Sequence, residues 1–276
     1  MAEPIKDLSK LCIHTITTKP WPIETSVEEF GKAGVGGISV WRDALEGRDI
    51  SKTGDLIRSS GLEIVSLVRG GFFPSFDAGK RKASIEDNRK AIDEAEALGA
   101  PMVVLVCGAE PRISLNQSRD QIKAGIEALL PYSEQAGVKL AIEPLHPMYA
   151  DTRSAINTME QANDIAEYFN SDQVGVAVDV YHLWWDSHLE EEIMRCGKNG
   201  NLYAFHICDW LSPTTDMLND RGLMGDGCIN VPQIREWVEN AGFSGFNEVE
   251  IFSKKHWKED QHEFLEKIQF AYLNYS

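Results

Sequence analysis

The 276-residue sequence has no uninterrupted apolar run near the ~18 residues that a membrane-spanning helix requires. Its first residues, MAEPIKDLSKLC, place an acid and a proline where a secretory signal has a basic stretch followed by an apolar one. We therefore predict a cytoplasmic protein that has no membrane partner.

Basic residues are also few. Lys and Arg number 27 against 43 Asp and Glu, which gives a formal net charge of −16. Such a chain would repel a polyanion, whereas nucleic-acid binding depends on counterion release by basic side chains. The charge balance predicts no nucleic-acid partner.

Cysteine is scarce and shows no pattern. The five cysteines are odd in number and include no CxxC pair, which argues against a disulfide framework and against a thiolate zinc site. No low-complexity or Pro/Ser-rich linker divides the chain, and its hydrophobic content of 43% is typical of a globular core. We predict one domain over residues 1–276.

What recurs along the chain is a short apolar run followed by a longer amphipathic segment. The apolar runs are rich in Val and Ile, as strands covered on both faces are. They lie at 11–17, 37–41, 63–70, 102–108, 139–145, 174–180, 202–209 and 247–253. Eight such units predict an α/β fold, the (β/α)8 TIM barrel. An open doubly wound sheet is the alternative, but no GxGxxG follows the first strand.

Helix boundaries are readable at several places. Ser84 and Asp87 stand in the positions of a capping box, which predicts a helix that begins there and ends at Gly99. Gly137 and Gly242 close the patterns that follow, and Pro232 opens the last of these.

Four of the predicted strands carry an acid or imidazole near the carboxyl end, where the chemistry of a barrel is found. These residues are Glu143, Asp179, His206 and Glu250. Each alone is as well explained by a cap, an ion pair or a satisfied core group. Together, three carboxylates and a histidine would repel one another without a cation. They suit Mn²⁺, Mg²⁺, Co²⁺ or Zn²⁺, and the mixture of hard and borderline ligands favours Mn²⁺.

The chain resembles the xylose-isomerase-like TIM barrels, the sugar phosphate isomerases and epimerases, over essentially its whole length. The resemblance lies in AIEPLHP, VAVDVYH, FHICD and the stretch from DRGLMGDG to NEVEIF. Relatives include ketose 3-epimerases, inosose dehydratases and hydroxypyruvate isomerases. The resemblance implies one divalent metal held by Glu143, Asp179, His206 and Glu250. Glu248 could compete with Glu250, but only Glu250 is followed by the family's aliphatic residue and Phe.

Two members of the superfamily fit poorly. The AP endonucleases carry extra histidines and an Asp-Arg-His triplet for three zinc ions, where this chain reads LVRGG, LVCGA and Asp220-Arg221-Gly222. Xylose isomerases have a lysine two residues after a ligand glutamate, where this chain has Leu145. A repair nuclease and a hydride-shift isomerase are therefore disfavoured.

Substrate contacts are predicted around these ligands. His182 and Arg221 resemble family residues that bind substrate, and Arg69, His146 and Trp185 fall at predicted strand ends suited to a sugar. We favour an unphosphorylated substrate, although Arg42, Arg69 and Arg221 leave a carboxylated or phosphorylated one open. The glycines of Gly225-Asp226-Gly227 fit a turn as well as an anion nest.

The mechanism that the resemblance implies is removal of the proton next to a carbonyl of a keto sugar or related polyol. The metal would stabilise the developing charge, and Glu143 and Glu250 would take and return protons. The alternative is a lyase or dehydratase that eliminates a β-group from an inosose or 3-keto-glycoside, as C-glycoside deglycosidases do. A non-catalytic sugar-binding barrel is a third hypothesis. A homo-oligomer or a partner subunit is compatible with the sequence.

Overall fold

The computed structural model describes residues 3–276, in which strands and helices alternate. The strands are β1 (Leu11–His14), β2 (Gly37–Trp41), β3 (Glu63–Gly71), β4 (Met102–Val106), β5 (Lys139–Glu143), β6 (Val174–Asp179), β7 (Leu202–Ile207), β8 (Asp209–Trp210), β9 (Arg221–Gly222) and β10 (Asn247–Val249). The α-helices are α1 (Ile23–Ala33), α2 (Ile50–Ser59), α3 (Ala78–Leu98), α4 (Leu115–Ala136), α5 (Met159–Phe169), α6 (Val180–Leu183), α7 (Leu189–Lys198), α8 (Val231–Asn240) and α9 (Gln261–Tyr275).

Eight of the strands form a closed parallel barrel in the order β1-β10-β7-β6-β5-β4-β3-β2. Closure is made between β1 and β10, where Leu11 pairs with Asn247 and Ile13 with Val249. The predicted (β/α)8 barrel is confirmed, and the open sheet is excluded. The two short strands β8 and β9 pair antiparallel with each other outside the barrel.

The strands form where the chain is apolar on both faces. In β4, the sequence MVVLV is buried from its second residue onward, because one face lines the barrel and the other receives helix α3. The helices contribute one apolar stripe each, as in α1, where Ile23, Val27 and Phe30 are buried. Within residues 3–276, every helix is either too short or too polar to span a bilayer.

Helix ends agree with the predictions at two glycines and disagree at one start. Gly99 and Gly137 cap α3 and α4 in the left-handed conformation, with φ of 84° and 66°. The predicted capping box at Ser84 is wrong, because α3 begins at Ala78 and Asp77 caps it by accepting from Lys80 N at 3.0 Å. Ser84 lies inside the helix, where its hydroxyl donates to Arg81 O at 2.8 Å instead of capping.

A layer of small side chains fills the barrel interior below its carboxyl end. Ala141, Ala177 and Ala204 pack there with Val68 and Val104, and all five are buried. Side chains two residues further along β5, β6 and β7 point to the same side of the sheet, one layer closer to the mouth. These are the residues on which the candidate site depends.

Candidate active site and metal centre

Four side chains converge at the carboxyl end of the barrel. Glu143 ends β5, Asp179 ends β6, His206 lies on β7, and Glu250 directly follows β10. A ligand atom of each lies within 4.8 Å of the others, and none of the four residues is more than 4% exposed. The structure therefore brings together the four residues that the sequence nominates, whose role as metal ligands stays a prediction.

The charged side chains of this cluster shift one another's pKa values. His206 Nδ1 lies 2.9 Å from Glu143 Oε1. Burial by itself lowers the pKa of His206, but the carboxylates of Glu248, Glu143 and Glu250 outweigh burial and raise the pKa to about 10. Burial also raises the pKa of Asp179, helped by the nearby carboxylates and opposed by Arg221. The cluster thus binds positive charge strongly, either as protons or as a cation.

The donor set fits a divalent metal. Nδ1 of His206 faces Glu143, and each of the four residues offers a ligand atom within 4.8 Å of the others. Three carboxylates and one imidazole are the donors that Mn²⁺, Mg²⁺, Co²⁺ and Zn²⁺ accept in proteins. Buried carboxylates that lie close together repel one another, and a divalent ion bound between them would relieve that repulsion.

Arg221 enters the cluster from strand β9. Its Nη1 lies 3.1 Å from Asp179 Oδ2 and 2.8 Å from Glu250 Oε2. Its Nη2 lies 3.2 Å from His182 Nε2. Two of the predicted substrate-binding residues, Arg221 and His182, are therefore in contact with each other and border the predicted ligands.

The position of Arg221 also defines the state of His182. An arginine can only donate, so Nε2 of His182 accepts and its proton resides on Nδ1. Burial and the charge of Arg221 hold the pKa of His182 well below the usual value, so that the ring is neutral. Its Nδ1 has no hydrogen-bond partner among residues 3–276. This leaves a buried N–H beside the cluster that could donate to a substrate hydroxyl.

Glu248 lies one layer deeper than Glu250, in register with His206. Its Oε2 accepts from Ser39 Oγ at 2.6 Å and lies 3.1 Å from His14 Nε2 and 3.7 Å from His206 Nε2. Glu248 thus lies near Nε2 of the His206 ring, whereas Glu143 contacts Nδ1, the other ring nitrogen. Carboxylates in this position orient metal-binding histidines in other sites. The contacts with Ser39 and His14 could not be predicted from the sequence, because both partners lie more than 200 residues away in the chain.

The remaining predicted contacts lie outside the cluster. His146 and Trp185 are in edge contact at 5.6 Å, and His146 also lies 5.0 Å from Trp210. Trp185 Nε1 donates to His182 O at 2.8 Å, which connects this aromatic group to the site. Arg69 makes no contact with the four predicted ligands and lines a cavity beside Trp41.

The Gly225-Asp226-Gly227 segment is a turn held by a carboxylate. Asp209 Oδ2 accepts from Gly225 N at 3.0 Å and Gly227 N at 2.8 Å, while its Oδ1 accepts from Ile229 N at 2.9 Å. A Cβ at Gly227 would lie 2.1 Å from Trp210 O. The Asp226 amide donates to Leu223 O at 2.9 Å, so all three amides of this segment are already satisfied, which decides for the turn and against the anion nest.

Fold and site together define an α/β barrel with a buried carboxylate-histidine cluster at the mouth. Residues 27–269 match the xylose isomerase-like TIM barrel family, and the chain belongs to that family. The resemblance stated from the motifs is confirmed.

The chain is also similar to individual proteins, one found by sequence and two by structure. An inosose isomerase from Bacillus licheniformis is 29% identical over 196 residues, which cover 68% of this chain and 66% of that protein, just under two thirds of its length. The crystal structure of protein SMc04130 from Sinorhizobium meliloti has a TM-score of 0.93 and 45% identity, and covers 98% of this chain and 99% of that one. The IOLI protein, crystallised with a zinc atom, has a TM-score of 0.82 at 23% identity over 95% of this chain and 96% of its own, which shows the shared fold.

Proposed function

We propose that this chain is a divalent-metal-dependent isomerase or epimerase that removes the proton next to a carbonyl of a keto sugar or related polyol. The observation that carries the proposal is the buried cluster of Glu143, Asp179, His206 and Glu250 at the mouth of the barrel. The inosose isomerase relative and the zinc atom in the IOLI protein support it. Mn²⁺ is our preferred metal because the donors mix hard oxygens with an imidazole.

A divalent ion held by these four side chains would act as a Lewis acid on charge that develops at the substrate oxygen. Glu143 and Glu250 would handle the proton. They lie on strands separated by β6 and β7, so their carboxylates approach from different sides of the barrel mouth. One can take the proton from a carbon held between them while the other returns one from the opposite side. Return to the opposite face of the same carbon produces an epimer, and return to the neighbouring carbon shifts the carbonyl.

Arg221 and His182 would position the substrate. The guanidinium of Arg221 binds Asp179 and Glu250 and keeps them in place, while the free Nδ1–H of His182 is the donor available to a hydroxyl. His146 and Trp185, in contact with His182 through the Trp185 indole, would form the wall of the same pocket.

The test is proton exchange in deuterated water with ketoses, inososes and 3-keto-glycosides, with and without Mn²⁺. We expect metal-dependent exchange at one carbon of at least one compound, and a loss of about 100-fold or more in the Glu143→Gln and Glu250→Gln variants. Glu63→Gln, at the exposed start of β3, is the matched control and should exchange normally.

The products separate the reaction types. An epimer or isomer supports the proposal, whereas a new ultraviolet enone absorbance without an epimer would identify the lyase alternative. Full exchange in both glutamine variants would refute the assignment of the two carboxylates, and chelator-insensitive exchange would refute the metal.

A further inference from the structure

A cavity of about 470 Å³ opens at the barrel mouth beside the candidate site. Its walls include Trp41 and Phe252, and cationic side chains of Lys19, Arg69 and Arg153 line it. The cavity is therefore positively charged in a chain with a net charge of −16.

Arg69 and Arg153 differ from the other arginines of the chain. The sequence contains twelve arginines, and ten of them donate hydrogen bonds to carboxylates, amides, carbonyls or a histidine. Within residues 3–276, no hydrogen bond or ion pair involves the guanidinium of either Arg69 or Arg153. Both side chains are half-buried and both line the same cavity.

The two guanidinium groups are held in place without being neutralised. Arg69 stacks on the ring of Phe72 at 4.4 Å, and Arg153 lies over Tyr149 at 5.7 Å. The face of an aromatic ring stabilises a guanidinium that lies over it, but the ring accepts no hydrogen bond from the N–H groups at the edge of that guanidinium. The donor edges therefore remain available to a molecule in the cavity.

The acids on the cavity wall offset these two cations only in part. Arg42 is engaged by Glu94 at 2.6 Å and by Asp87 at 3.1 Å. Asp43 is an exposed acid on the cavity wall, and it forms no ion pair with Arg69 or Arg153 in the described chain. Burial together with the charges of Arg153 and Arg42 lowers the pKa of Arg69, and the opposing carboxylates of Asp87 and Asp43 do not outweigh them.

The cavity adjoins the four predicted ligands. Phe252 lies two residues after Glu250, and its ring is 5.1 Å from that of Trp41 and 5.0 Å from the Arg221 guanidinium. Trp41 Nε1 lies 3.2 Å from His14 Nδ1, next to the carboxylates. A ligand of sugar size could therefore occupy both the cavity and the site.

We propose that Arg69 and Arg153 bind an oxyanion, a carboxylate or a phosphate, at the end of the substrate remote from the reacting carbon. The inference rests on the proposed function and narrows it to a keto sugar acid or a keto sugar phosphate. The sequence favoured an unphosphorylated substrate and left an anionic one open; a keto sugar acid keeps that preference, whereas a keto sugar phosphate would replace it. Planar guanidinium forks match either oxyanion through paired hydrogen bonds, and Lys19 adds a third positive charge.

The kinetic test compares each neutral keto sugar with its uronate and its phosphate in the exchange assay. We expect an anionic member to have the highest kcat/KM, and Arg69→Gln and Arg153→Gln to raise its KM by about 10- to 100-fold with little change in kcat. The same variants should raise the KM of the neutral member by a smaller factor, so that the preference for the anion falls. Arg58→Gln, at the amino end of the barrel, is the matched control, and Arg153→Lys should restore affinity in part.

A binding test is independent of turnover. With the metal removed by chelation, inorganic phosphate and malonate should each be tested as ligands by calorimetry, and the stronger one identifies the oxyanion. Both glutamine variants should weaken its binding at least tenfold, with unaltered thermal unfolding as evidence of correct folding. Unchanged KM values and unchanged anion affinity in both variants would overturn the inference while leaving the proposed function intact. Anion binding that depends on the arginines, with no proton exchange in any compound, would instead refute the proposed function and retain the anion site.

Discussion

Metal binding by this site should release a proton from His206 at a pH where an ordinary histidine has none to release. A metal ligand must be deprotonated, so metal and proton compete for the imidazole. An unperturbed histidine, with a pKa of about 6.5, is already neutral at pH 8. In this structure the pKa of His206 is raised to about 10 by Glu248, Glu143 and Glu250 despite its burial. The metal-free protein therefore holds this proton across the neutral range.

The size of the effect follows from that value. For a group that is protonated in the free protein and neutral in the complex, the apparent association constant rises about tenfold per pH unit, or about 1.4 kcal/mol. Between about pH 7 and pH 9, below the raised pKa of His206, the affinity for Mn²⁺ should increase about 100-fold. At more acidic pH a second proton should be released, because burial and neighbouring carboxylates raise the pKa of Asp179 as well.

The measurement is isothermal titration of the chelator-treated protein with Mn²⁺, without oxygen, in two buffers of different ionisation enthalpy. We expect release of about one proton per metal at pH 8. Glu248→Gln is the matched control, since it removes the leading charge that raises the pKa of His206 and nearly preserves the side-chain shape, so release at pH 9 should fall below that of the native protein. An affinity that does not change from pH 7 to pH 9, with no proton released at pH 8, would contradict the reasoning.

Two further predictions concern the residues that hold the site together. Arg221→Lys keeps the charge but loses the guanidinium fork that reaches Asp179, Glu250 and His182. Steady-state kinetics should show a fall in kcat of about 100-fold, and metal titration should show a smaller effect on metal affinity. An unchanged kcat would exclude a positioning role for Arg221. Asp209→Asn places an amide NH₂ against backbone N–H donors and should lower the free energy of unfolding in urea by about 2–4 kcal/mol. The exposed control Asp226→Asn should change it by less than about 0.5 kcal/mol. Equal values for the two variants would show that Asp209 does not hold the turn.

The barrel was predictable because its signal is local and repeated. Runs such as MVVLV and VGVAVD are apolar on both faces, which only strands covered by helices on one side and by the barrel interior on the other require. The start of α3 was not predictable from Ser84, because a serine followed three residues later by an acid also occurs inside helices. Here Asp77 accepts from a backbone N–H group in the first turn of the helix, and Ser84 donates to Arg81 O within it. Several nearby side chains can cap one helix start, and the sequence does not show which of them does.

The four residues of the candidate metal site were nominated by their place at strand ends and by the family motifs, and the strand register brings them within 4.8 Å. Their partners were a different matter. Glu248 looked like a rival ligand because it shares a face with Glu250. Only the closed barrel, which places β10 next to β1 and two strands from β2, reveals its contacts with His14 and Ser39. Arg153 drew no attention in the sequence, as it lies in a loop without a motif.

The sequence by itself determined the alternation of strands and helices, the identity of the family and the residues able to bind a cation. These properties depend on side-chain periodicity and on residue type at strand ends, which are encoded within a few residues of each position. Only the tertiary structure decided which charges are satisfied. Arg42 and Arg69 looked equivalent in the chain, but α3 brings Asp87 and Glu94 to Arg42 and nothing comparable to Arg69 in residues 3–276. Pairing of charges is a property of distance in space, and it is this that leaves two arginines free at the mouth of the barrel.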